Sequence, residues 1–137
     1  MTYSLLIFLS RKPGTTPEEF KEYYNSSHLP MYRQLVGSHS PIRHTQLYVH
    51  RTAGSGDGST QRNASTPASV YLGAQADFDY DVVVTADYKD AAAFQAMYEY
   101  VQQPEIAATI TADEERFLDR TQTRVAVLGE AIDTAAQ

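Results

Sequence analysis

The chain has 137 residues, 42% of them hydrophobic and 20% charged, which supports one buried core and excludes wholesale disorder. Its 17 acids against 11 bases give a formal charge of −6, which argues against the clustered cationic face of a nucleic-acid binder. It has no cysteine, so disulfides, thiolate metal sites and cysteine nucleophiles are excluded.

Tyr3 to Ser10 alternates with Tyr3, Leu5, Ile7 and Leu9 on one face and Leu6 and Phe8 on the other. A strand apolar on both faces is buried from both sides. Arg11-Lys12-Pro13-Gly14 then breaks it with loop chemistry. Thr16-Pro17-Glu18-Glu19 is a helix start: Thr16 caps, Pro17 suits the first helical position, and Glu19 completes a capping box. Phe20, Tyr24, His28, Met31 and Leu35 follow at spacings of four and three, one inward helical face. Pro30 lacks a donor and its ring clashes with the carbonyl of Ser26, so a break or kink is expected near His28.

Gly37 to Pro41 is a turn, and Ile42 to Arg51 a second strand. His44, Gln46, Tyr48 and His50 share one of its faces, as either wet surface or a pocket lining. Residues 52–76, rich in Gly, Ser, Thr and Asn, form a long flexible loop with Val70-Tyr71-Leu72 as its apolar anchor. Loops of that length are lids, binding loops or disordered insertions. Within it, Gly54 to Gly58 lacks the Lys and the flanking strand and helix of a phosphate loop.

Asp79 to Ala86 is the third strand. Asp90 caps a second helix whose buried face carries Phe94, Met97, Tyr98 and Val101. Pro104 restarts it, and the acidic run Asp113-Glu114-Glu115 carries it to Phe117. Thr121 to Gly129 is the fourth strand, followed by a fraying tail, 130–137. The order β-α-β, β-α-β over 1–137 predicts a single α+β domain, ferredoxin-like, with a four-stranded antiparallel sheet and two helices on one face. The doubly apolar first strand requires a cover on the open face, and a second copy of the same sheet is the simplest one. No stretch approaches the roughly 18 apolar residues of a membrane span, and the amino terminus lacks the basic leader and length of a signal peptide. A cytoplasmic protein with no membrane partner is expected.

Three runs, RKPGTTPEEFKEYYNSSHLP, DYDVVVTADYKDAAAFQAM and DEERFLDRTQTRV, resemble the EthD family in the correct order over nearly the whole chain. The pieces that carry the resemblance are the Arg-Lys-Pro-Gly loop, the helix ending in His-x-Pro, the Tyr-Asp opening the third strand, and Asp-Glu-x-x-Phe-x-Asp before the last. Two departures stand out: Tyr23-Tyr24 where an aromatic with Trp is frequent, and Leu29 where Gly is frequent. The resemblance implies a homodimeric α+β barrel, its two sheets packed face to face, with no metal or organic cofactor. It also implies kinship with tailoring enzymes of aromatic polyketides: cyclases, decarboxylases of anthrone-type acids, oxygenases and isomerases. Fungal members with a long loop before the third strand look closest, and those are often decarboxylases.

Among candidate catalytic residues His28 comes first, at an inward helix break and on the family's His-x-Pro position. Imidazole suits proton transfer near neutral pH. The alternative is that it only bonds a carbonyl freed by Pro30. His50 is a second catalytic candidate and His44 a substrate-binding one, unless their strand face is solvated. Asp81 is a candidate to orient a histidine, as a carboxylate does in a triad, or else a strand-end acid bonding loop amides. Tyr48, Tyr24 and Tyr3 are candidate walls for a planar aromatic substrate, in a chain with 10 Tyr and 5 Phe. No His-Glu-x-x-His, His-x-His or Gly-x-Ser-x-Gly occurs, so neither a metal site nor a serine hydrolase is expected. The function expected is decarboxylation of an aryl or β-keto carboxylic acid by histidine acid/base chemistry. The alternatives are a cyclase/dehydratase, a cofactor-free anthrone monooxygenase, and a non-catalytic binding barrel.

Overall fold

Tyr3–Leu9 forms the first strand, β1, in the computed structural model, which describes residues 2–53 and 62–136. The Gly54 to Gly58 run therefore lies outside the described residues. Pro17–Tyr23 is α1, Leu29–Val36 α2, Arg43–Tyr48 β2, Val82–Tyr88 β3, Ala91–Val101 α3, Pro104–Glu114 α4 and Arg124–Val127 β4. The sheet order is β2-β3-β1-β4 with every neighbouring pair antiparallel, the ferredoxin-like arrangement expected from the element order.

Local chemistry sets the helix starts. Thr16 Oγ1 accepts from the Glu19 amide at 3.1 Å while the Glu19 carboxylate accepts from the Thr16 amide at 2.8 Å, the reciprocal capping box. Asp90 caps α3 by accepting from the Ala93 amide at 2.8 Å.

The chain does not break at Pro30. Tyr24–His28 is a π-helical turn joining α1 to α2, and the Leu29 amide reaches back five residues to the Tyr24 carbonyl. The wider turn gives the proline ring the room that an α-helix would deny it. Phe20, Tyr24 and His28 all stay buried along one side.

One sheet face carries the core. Leu9, Val82 and Val84 pack with Phe20, Tyr24, Phe117 and Leu118, and further along the sheet Leu5, Ala86 and Tyr88 pack with Met97 of α3. The opposite face of β1 presents Leu6 and Phe8, and that of β2 presents Leu47, which is 56% exposed.

β2, β3 and β4 have ends that differ from the sequence reading; β4 is Arg124–Val127 rather than Thr121 to Gly129, with a 3₁₀ turn at Arg120–Gln122 before it. β2 stops at Tyr48: the Val49 amide still bonds in register to the Asp81 carbonyl (3.0 Å), and Arg51 then bridges to Ala68 instead of continuing along β3. β3 starts three residues later than expected, at Val82. The described part of the 52–76 loop is held by polar groups. Asn63 is buried and its Nδ2 donates to the Asp79 carbonyl (3.0 Å) and carboxylate (2.7 Å). Gln75 makes two 2.8 Å bonds to the Ala68 backbone. Tyr71 and Leu72, expected as its apolar anchor, project into solvent. Among the described residues no helix is long and apolar enough to cross a membrane.

Candidate active site

The π turn aims His28 between the helices and the sheet, where it is only 7% exposed. Its Nδ1 lies 2.7 Å from Oδ2 of Asp113, near the end of α4. The other carboxylate oxygen, Oδ1, accepts from the Tyr23 hydroxyl at 2.7 Å. Burial raises the proton affinity of Asp113, but hydrogen bonds from Tyr23 and His28, with the charges of His28 and Arg116, outweigh it and hold the carboxyl below its usual value. An ionised Asp113 requires the proton on Nδ1 of His28, which leaves Nε2 as the nitrogen able to exchange protons. Rings fix the imidazole from several sides: Phe117 at 4.8 Å, Tyr24 at 5.9 Å and Tyr32 at 6.0 Å between centroids.

A second histidine joins from the sheet. His44 Nε2 lies 3.1 Å from the Tyr24 hydroxyl, with the two rings edge to face. Burial lowers the proton affinity of His44, and the charges of Arg33 and His28 lower it further, so it is neutral at neutral pH. Burial likewise raises Tyr24 far above the normal phenol value, and the hydroxyl keeps its proton. Tyr32 is raised by the same cause and its hydroxyl donates to Met97 Sδ at 3.6 Å. Tyr48 borders this group: it packs against the same core, bonds Gln46 and accepts from Asn25 at 3.2 Å.

The structure thus brings His28, Tyr24, His44 and Tyr48 onto one side of the sheet. It separates the other candidates. His50 lies past the end of β2, exposed, with Nδ1 bonded to Ser69 Oγ at 2.7 Å. Tyr3 stacks on Phe94 at 5.1 Å under α3, in the other core cluster. Asp81 orients no histidine. Its Oδ1 pairs with Arg11 Nη1 at 2.6 Å and its Oδ2 accepts from the Arg11 amide at 2.7 Å, both groups almost wholly buried. The reason is electrostatic: a buried carboxylate beside two arginines (Arg51 Nε is 3.8 Å away) is neutralised there. Arg62 extends this network to Asp79 (2.6 Å) and Asp119 (2.5 Å), tying the loop to the last crossover. A cleft borders that network and Tyr48, but the guanidinium groups of Arg11 and Arg62 are already committed to Asp81, Asp79, Asp119 and backbone carbonyls.

Of the other site residues, Tyr23 was legible only as one of several possible tyrosine walls, Asp113 and Phe117 only within the Asp-Glu-x-x-Phe-x-Asp motif, and Tyr32 not at all. A second signal was available for Asp113. Three acids at a helix C-terminus oppose the helix dipole, so one of them needs a cationic or hydrogen-bonding partner. Among the described residues no group of three or more His, Cys, Asp or Glu converges as a metal site.

A family model described as the EthD domain matches residues 12–121. No curated protein matches the chain. Solved structures do. A mutant of SnoaB, described as a cofactor-independent oxygenase from Streptomyces nogalater, is 15% identical over 99% of this chain and 98% of its own, with a TM-score of 0.51. An EthD-like protein from Ralstonia eutropha JMP134 is 17% identical over 93% of this chain and 87% of its own, with a TM-score of 0.50. An ethyl tert-butyl ether D (EthD) family protein from Bacillus halodurans C-125 is 17% identical over 96% of this chain and 100% of its own, also at 0.50. At such identities the likeness establishes the fold.

Proposed function

This chain belongs to the EthD family, and on that premise we propose that it is a cofactor-independent enzyme that decarboxylates an aromatic polyketide acid, with His28 as the acid/base. The observation that carries this reading is the 2.7 Å contact of His28 with Asp113, braced by Tyr23 and enclosed by aromatic rings. A carboxylate on Nδ1 fixes the ring and stabilises the imidazolium, while Nε2 delivers a proton. In an ortho-hydroxy aryl or β-keto acid, the carbon that loses carbon dioxide must be protonated, and one such imidazole suffices. The phenols and flat rings around it suit fused aromatic surfaces. Entry of the substrate requires side chains around His28 to move aside, since His28 is buried. A second copy of the chain, seated on the uncovered sheet face, completes the barrel in this reading.

The test is carbon dioxide release from anthrone-type carboxylic acids by the full chain and by His28→Ala. The variant should keep its circular dichroism spectrum and lose activity by at least about 100-fold. Unchanged turnover would sink the assignment. A second reading draws on the likeness in fold to SnoaB, a cofactor-independent oxygenase. Oxygen uptake on an anthrone, and no product under anaerobic conditions, would select it over decarboxylation.

A further inference from the structure

Tyr24 and His44 form a second polar pair beside His28 that protonation of carbon does not use. Tyr24 is 4% exposed, yet it carries a hydroxyl into the core, and among the described residues that hydroxyl meets Nε2 of His44 at 3.1 Å. Its ring lies 5.9 Å from that of His28, so the two side chains pack directly against each other. A phenol bound to a neutral imidazole has two arrangements. With the imidazole proton on Nδ1, the phenol donates to Nε2. With the proton on Nε2, the imidazole donates to the phenol oxygen and the phenolic hydrogen is released toward whatever lies beside it. The same heavy-atom positions serve both.

We propose that Tyr24 is a catalytic residue that donates a hydrogen bond to the substrate's enolate oxygen, with His44 behind it as a positioning residue that switches tautomer. The inference rests on the reading above and adds the electron sink that it lacks. The carbon–carboxylate bond breaks and carbon dioxide leaves. The bonding pair moves onto the neighbouring carbonyl oxygen, where Tyr24 meets the developing charge. The His28 imidazolium then gives its proton to carbon, and solvent returns one to His28, so one proton replaces the lost carboxylate. A neutral His44 can back the phenol in this way, whereas a charged one could only donate. The depressed proton affinity of His44 and the raised one of Tyr24 are consistent with both groups entering the reaction neutral. Opposed environments on neighbouring titratable groups are how sites divide acid and acceptor roles.

The experiment uses the full chain and 1,8-dihydroxyanthraquinone as a non-reacting probe whose phenol reports ionisation by its absorbance. Bound to the wild type, the dye should ionise at lower pH than when bound to Tyr24→Phe, by about one to two pH units, the worth of one hydrogen bond to a charged oxygen. His44→Gln should fall between the two, and it serves as the second variant if Tyr24→Phe does not fold. The kcat of Tyr24→Phe should drop on the order of 100-fold with KM little changed, the loss typical of one oxyanion donor. Dye binding should also exchange the protonated and unprotonated ¹⁵N resonances of His44, which a purely structural hydrogen bond would not do. Equal ionisation and equal kcat in wild type and Tyr24→Phe would overturn the proposal. If His28→Ala still abolished turnover, the acid/base reading would survive that result. Failure of the dye to bind the wild type would overturn both.

Discussion

His44 carries a pH dependence that its surroundings dictate. Burial and the charges of Arg33 and His28 push its folded pKa below the ordinary 6.5. Between those two values the unfolded chain binds the extra proton, so this contribution to stability is complete above pH 6.5 and is lost as the pH falls toward the folded value. Denaturation of the wild type between about pH 5 and 7 should therefore show stability declining with acid more steeply than in His44→Gln. Parallel curves would mean that His44 protonates freely in the folded state. At this scale the sequence was readable where residues sit close along the chain. Phe20, Tyr24 and His28 recur at helical spacing and are all buried. Asp113 was not readable as the partner of His28, because 85 residues separate them and a run of three acids reads as a solvated helix end. For Asp81 the structure selects the second of the two readings, a strand-end acid bonding a loop amide, that of Arg11; the Arg11 side chain that also pairs with it was legible only as part of a loop.

The elements were legible in kind and less so in their ends. All four strands and the Pro104 restart follow from periodicity and caps, since those depend on neighbouring residues. Where β2 leaves β3 depends on Ala68, the bridge partner of Arg51, which is far away in sequence. The π turn is an intermediate case: Pro30 signals a disturbance, and the anchoring of one side of each flanking helix, by Phe20 and Val36, favours its being absorbed rather than broken. Pro30→Ala separates these effects. Alanine restores the amide and removes the clash, so the turn can tighten to α-helix, with melting temperature unchanged or raised. Tightening rotates His28 relative to Tyr24 and Asp113, so kcat should fall while KM stays close to the wild-type value. A variant of lower melting temperature and normal kcat would show that the proline stabilises the turn instead of imposing it.

At the scale of the whole molecule, the uncovered sheet face sets the last expectation. The helices cover the side of β1 and β3 that carries Leu5, Leu9, Val82 and Val84, all under 9% exposed. On the other side lie Leu6, Phe8 and Val83, with Leu47 at 56% exposure on the edge strand β2. Val125 and Val127 of β4, opposite Ile7 and Leu5, belong to the helix-side face and add nothing to this one, though both are more than half exposed. A two-fold pairing of such faces buries apolar side chains against their own copies, and a stable interface of this kind removes more than about 1,000 Å² from water. The proposed homodimer predicts that the full chain elutes at twice its monomer mass at micromolar concentration. Leu47→Glu is the discriminating variant. In the lone chain this side chain is already solvated, so a glutamate there should leave folding intact. In the pair it would bury an unpartnered charge, which costs several kcal/mol and favours dissociation. The expected result is a monomer with an unchanged circular dichroism spectrum. A wild type that elutes as a monomer would refute the barrel, and a dimeric Leu47→Glu would place the contact on a different surface.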